Sequence, residues 1–138
     1  MKDFIVWRKK WETGIKKIDE QHKHFVEIIN RTYVINGAKK DRKKVESILG
    51  DLTEYARIHF STEEEYFQET EYPDMKEHME EHEKLLGKVL NFNKRFESKE
   101  DISKLVEDFL KFIREWLDDH LAQYDQKYVP WLTENGIK

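Results

Sequence analysis

Six histidines occur in 138 residues, and three of them fall in two short stretches, "HFSTEE" at 59–64 and "HMEEH" at 78–82. His59 and Glu63 are four residues apart, and so are His78 and His82, the spacing that sets both members of a pair on one helix face. Imidazole and carboxylate together are donors suited to a transition metal. His22 and His120 join the group by helical phase. His22 shares the side of Ile18, Phe25 and Ile29, and His59 follows Leu52 and Ala56. His78 and His82 sit between Met75 and Leu85, and His120 follows Ile113 and Trp116. His24, two residues after His22, points to nearly the opposite side. Asp125 is a further candidate, but it comes five residues after His120, about 140° away on an ideal α-helix. It reaches the same face only if the last helix is distorted or wound there.

The elements that must position these residues read as four amphipathic helices. Residues 1–18 look like an extended arm anchored by Trp7, Trp11, Ile15 and Ile18, with Gly14 opposing a helix. Asp19 can cap a first helix that runs to about Asn36. "NGAKKD" at 36–41 has turn chemistry, with Gly37 able to adopt a left-handed conformation. Asp41 can then cap a second helix, whose stripe includes Val45, Leu49, Leu52, Tyr55, Ala56, Phe60 and Phe67. "TEYPD" at 70–74 ends it, because the residue before Pro73 is pushed out of helical geometry. A third helix carries Met75, Met79, Leu85, Val89, Phe92 and Phe96. After "ESKED" at 97–101, a fourth carries Ile102, Leu105, Phe109, Ile113, Trp116, Leu117 and Leu121. Pro130 marks a late break. No strand signal competes. The predicted fold is all-α, an up-down-up-down antiparallel four-helix bundle over 19–126. The arm at 1–18 precedes it and a short C-terminal helical segment at 127–138 follows it, in one domain.

In antiparallel neighbours, residues equidistant from the turn lie at one height. His22 and His59 are centred on 40.5, His59 and His82 on 70.5, Glu63 and His78 on the same 70.5, and His82 and His120 on 101. Each midpoint falls at or beside a predicted turn, so the four helices deliver their polar core residues to one layer. A single buried histidine is ordinarily a hydrogen-bonded core residue, and His24, Glu64 and Glu65 read as solvated surface. Five buried imidazoles and two carboxylates without partners would cost several kcal/mol, at roughly 1–3 kcal/mol per unsatisfied group. A metal cluster satisfies all seven together.

Composition limits the alternatives. The net charge is −4 and the one basic run, "KKDRKK" at 39–44, is broken by Asp41, so nucleic acid is not an expected partner. Cysteine is absent, which excludes thiolate metal sites and disulfides. No segment has the length of a membrane span and no signal peptide is visible, so a cytoplasmic location is expected. No outward apolar patch stands out, and a monomer is expected.

Seven side chains are too many for one ion. If both carboxylates and an oxygen atom bridge two metals, each metal has three bridging ligands. Five histidines then divide three and two, and one metal keeps an open position.

The motifs "IDEQH" at 18–22, "HFSTE" at 59–63, "YPDMKEHMEEH" at 72–82 and "HLAQYD" at 120–125 together resemble the hemerythrin family, specifically its single-domain bacterial members. The resemblance covers essentially the whole chain. It implies a centre of two iron ions joined by an oxo or hydroxo bridge. His78, His82 and His120 would hold the saturated iron, His22 and His59 the open one, and Glu63 and Asp125 would bridge. The family tolerates the spacing of His120 and Asp125 found here. The implied activity is reversible O2 binding for storage, transport or delivery, with O2 as the small-molecule ligand and no protein partner identified. Phe25, Phe60, Trp116, Leu117 and Leu121 resemble the family's apolar oxygen pocket, with Phe25 in place of the leucine common there. Tyr128 resembles a family tyrosine near the centre. A dry pocket without an acid or base suits a carrier rather than an enzyme. The rival readings are an oxygen or redox sensor, a di-iron oxidase or peroxidase, and iron or nitric oxide handling. Ferritin-like di-iron enzymes use paired Glu-x-x-His motifs and more glutamates, whereas histidine leads five to two here.

Overall fold

The apolar stripes form helices close to their predicted bounds. The computed structural model describes residues 5–36 and 41–138. Within them α1 is Lys16–Asn36, α2 Arg42–Thr70, α3 Met75–Glu97 and α4 Ile102–Trp116. A π-helical segment, Leu117–Tyr124, continues α4 into a short α5, Asp125–Lys127, and α6 spans Val129–Glu134 with Pro130 in its first turn. The expected left-handed Gly37 and the first four residues of the arm lie outside the described residues.

The caps explain most boundaries. Asp41 accepts a hydrogen bond from the Lys43 amide (2.9 Å) and Asp101 one from the Ser103 amide (3.1 Å), each satisfying an amide that the first helical turn leaves free. Glu71 takes a left-handed conformation (φ 55°) after α2, and Tyr72 bonds back to the Phe67 carbonyl (2.9 Å).

The N-terminal boundary departs from expectation. α1 begins at Lys16, not after Asp19, and the arm ends at Ile15. Gly14 turns the chain at φ 81°. Asp19, in the first turn, reaches back to accept from the Thr13 amide (2.8 Å), the Thr13 hydroxyl (2.9 Å) and the Gly14 amide (3.2 Å). It thus fastens the arm to the helix instead of standing outside it. Farther out, the Asn30 side chain pairs with the Ile5 backbone in both directions, at 2.7 and 2.9 Å.

α1 packs against α2 and α4, and α3 against the same two helices, which closes the bundle. The apolar interior has two parts. The larger includes Phe25, Leu52, Phe60, Leu85, Trp116 and Leu121. The smaller includes Ile15, Ile18, Phe67, Tyr72, Tyr128 and Leu132. Fully burying one such side chain contributes roughly 1.5–3 kcal/mol. Along the bundle the buried histidines, Glu63 and Asp125 fall between these two parts. Among the described residues, no helix is long and apolar enough to cross a membrane.

Candidate metal centre

All seven predicted ligand residues meet in the layer between the apolar clusters, and each is at most 3% exposed. His22 comes from α1, His59 and Glu63 from α2, His78 and His82 from α3, and His120 and Asp125 from the distorted end of the fourth helix. That distortion resolves the spacing of the last pair. In the π segment the Asp125 amide bonds to the His120 carbonyl, five residues back. One wider turn therefore stacks Asp125 over His120, where a regular α-helix would swing it aside.

The carboxylates divide their oxygens between two sets of rings. Asp125 Oδ1 lies 3.0 Å from His120 Nε2 and 3.3 Å from His78 Nε2. Its Oδ2 lies 2.9 Å from His22 Nε2 and 3.5 Å from His59 Nε2. Glu63 does the same. Its Oε1 is 2.8 Å from His82 Nε2 and 3.5 Å from His78 Nε2, while Oε2 is 3.5 Å from His59 Nε2. Two donor groups result, Glu63 with His78, His82 and His120, and His22, His59 and Glu63 with Asp125. Within each group the donor atoms lie within 4.8 Å of one another.

This donor set suits a metal. His78 Nε2, His120 Nε2, Glu63 Oε2 and Asp125 Oδ1 are buried and, although they crowd one another at 3.0–3.5 Å, none is aligned for a hydrogen bond. Buried polar atoms are rarely left so, because each costs desolvation without compensation. The protein groups already show the pull that a cation would feel. Burial opposes a charge on His78, but the Asp125 and Glu63 carboxylates outweigh it and push its pKa up to about 10. Burial likewise opposes a charged His120, and Asp125 raises it on balance. Burial dominates at His59 and lowers it. Glu63 and Asp125 both fall below the usual carboxylate range, because the surrounding imidazoles overcome their burial.

Two holders of this layer escaped the sequence reading. Gln21 Oε1 accepts from His59 Nδ1 (2.7 Å), and the amide is itself fixed by donating to the Thr62 hydroxyl (3.0 Å). Glu64, expected to be solvated, accepts from His82 Nδ1 (2.8 Å). Both contacts place a proton on Nδ1 and turn the Nε2 edge inward, a standard way of orienting metal-binding histidines. Position beside His22 and Glu63 was the sole signal for these residues. His24 stays outside, half exposed and 3.8 Å from Glu27.

The predicted oxygen-pocket residues also converge. Phe25, Phe60, Trp116, Leu117 and Leu121 are all buried in the larger apolar cluster. Phe60 stacks on His82 with centroids 4.0 Å apart, and Phe25 lies 4.7 Å from Trp116. Tyr55 completes this layer, stacked between Phe25 (5.2 Å) and His59 (5.3 Å). It had been read only as part of an apolar stripe. Tyr128 is fully buried in the smaller cluster, edge-on to Phe67, 5.5 Å from the His78 ring.

Comparison with known proteins identifies the family. The family model described as the Hemerythrin HHE cation binding domain matches residues 13–132. A bacteriohemerythrin of Clostridium acetobutylicum is 35% identical over 128 residues, covering 91% of this chain and 98% of that protein. One from Stenotrophomonas maltophilia is 31% identical over 125 residues, covering 91% of this chain and 79% of that one. A wild-type hemerythrin crystal structure superposes with a TM-score of 0.83 at 27% identity, covering 94% of this chain and 98% of that chain.

Proposed function

The chain belongs to the hemerythrin family, which binds non-haem iron and O2, and we propose that it binds O2 reversibly at two iron ions held by His22, His59, Glu63, His78, His82, His120 and Asp125. The observation that carries this reading is the division of the two carboxylates, each offering one oxygen to each set of histidines. A carboxylate so placed is built to bridge two cations. The iron pair, when bound, supplies the reversible chemistry toward O2. The protein's own residues do the rest. His78, His82 and His120 would give one iron three nitrogens, and His22 and His59 would give the other two. Gln21 and Glu64 hold protons on the outer ring nitrogens so that the inner ones stay available. Phe25, Phe60, Trp116, Leu117 and Leu121 exclude bulk water from the side of the layer toward the larger cluster. Such exclusion suppresses proton leakage into a reactive site.

The test is to load the protein with ferrous iron in the absence of air, count iron per chain, then admit and withdraw O2 while recording the visible spectrum. Two irons with a colour that comes and goes with O2 is the expected result. A one-way change to the ferric state would move the assignment to an oxidase or redox sensor. A single metal, or none, would overturn the two-iron reading.

A further inference from the structure

The aromatic layer beside the candidate centre carries polar atoms as well as rings. Two of its polar atoms, the Tyr55 hydroxyl and Trp116 Nε1, are buried and have no hydrogen-bond partner. Both belong to one aromatic layer, with ring centroids 6.1 Å apart. Tyr55 stacks on His59, and Trp116 stands edge-on to His120 at 6.5 Å, so together they adjoin both sides of the candidate centre. The other orphaned atoms have different surroundings. Trp7 Nε1 belongs to the arm, the imidazole and carboxylate atoms belong to the seven candidate ligands, and the Tyr128 hydroxyl approaches Glu63 from the opposite cluster.

A tyrosine buried among Phe25, His59 and Trp116 could be a phenylalanine at no loss to packing. Keeping its hydroxyl unpaired costs desolvation, and such a group calls for an occupant. We propose that Tyr55 and Trp116 are a donor pair for the ligand pocket, directing O–H and N–H toward a small acceptor, diatomic or a linear anion, held on the open side of the centre. This rests on the two-iron reading above. It makes the pocket selective for acceptors that carry a lone pair on the atom farthest from the metal, and it places Tyr55, on α2, among the residues that set ligand retention.

The experiment uses azide as the probe and the variants Tyr55→Phe and Trp116→Phe. In the metal-free protein, Tyr55→Phe should leave the urea midpoint unchanged or raise it, since the hydroxyl has no protein partner. A lowered midpoint would show that the hydroxyl serves the fold and would overturn the proposal. In the ferric, iron-loaded protein, Tyr55→Phe should weaken azide roughly ten- to hundred-fold, the range for a lost hydrogen bond to a charged acceptor, and shift the azide stretching band. Trp116→Phe should weaken azide in the same direction. Unchanged azide affinity in Tyr55→Phe, with two irons still bound, would overturn the donor pair and leave the iron centre standing. A wild-type protein that takes up no iron pair would overturn both.

Discussion

Replacing Gln21 by leucine tests how the layer is held. In the present structure the His59 Nδ1 proton is donated to Gln21 Oε1 at 2.7 Å, and His59 is fully buried. Leucine removes the acceptor and leaves the His59 Nδ1 proton without its protein partner. A protein without metal has a partial escape. The ring proton can move to Nε2, which has Glu63 and Asp125 carboxylate oxygens at 3.5 Å, and Nδ1 then carries only a lone pair. With metal bound that route closes, because Nε2 must give its lone pair to the ion and the proton must stay, unpaired, on Nδ1. The cost of roughly 1–3 kcal/mol for an unsatisfied buried donor therefore falls mainly on the metal-bound state. Iron affinity should drop about ten- to hundred-fold, in line with the effect of losing an outer partner of a metal-bound histidine. Competition against a chelator under anaerobic conditions measures it, with Gln21→Glu as the control that retains an acceptor. If leucine binds iron as tightly as wild type, or if glutamate loses as much as leucine, the orienting role is wrong.

Other outcomes are expected. His78→Ala should fall below two irons per chain and lose the stabilisation that iron confers, whereas His24→Ala, half exposed beyond the layer, should change neither iron count nor melting. The metal-free protein should be most stable between about pH 4.5 and 6.5, the ordinary values of Glu63 and His78. The raised His78 contributes fully below 6.5 and its contribution is lost as pH climbs through about 10, while the depressed Glu63 and Asp125 contribute above their ordinary values and are lost as pH falls. His59, lowered by burial, trims the effect. The alkaline loss should be on the order of a few kcal/mol, at about 1.4 kcal/mol per pH unit, and a urea midpoint that is flat from pH 6 to pH 10 would contradict it. Asn30→Leu removes both bonds to Ile5, so the Ile5 amide should lose its protection from hydrogen exchange while iron content stays the same.

What the sequence disclosed and what it hid divide along one physical line. Helical phase is a property of the backbone, so the stripes, the turns and the common height of His22, His59, His78, His82 and His120 are legible in the sequence alone. Asp125 was ambiguous for the same reason, since ideal α-helical phase sends it aside and nothing local in "HLAQYD" announces a π turn. The switch becomes intelligible once its payoff in tertiary structure is visible, a carboxylate carried to within 3.0 Å of His120 and 2.9 Å of His22. Gln21 and Glu64 were hidden differently. Each flanks a candidate ligand on its own helix yet acts on a ring from another, a pairing that depends on side-chain rotamers across an interface and not on period. Asp19 was read as a cap because its type and place allow one, but Gly14 turned the arm so that the same carboxylate became its fastening. Tyr55 and Trp116 were the subtlest, since an apolar stripe counts their rings and is blind to their polar tips. Periodicity thus finds the residues that face inward, while the pairing of their polar tips is decided by neighbours from other helices.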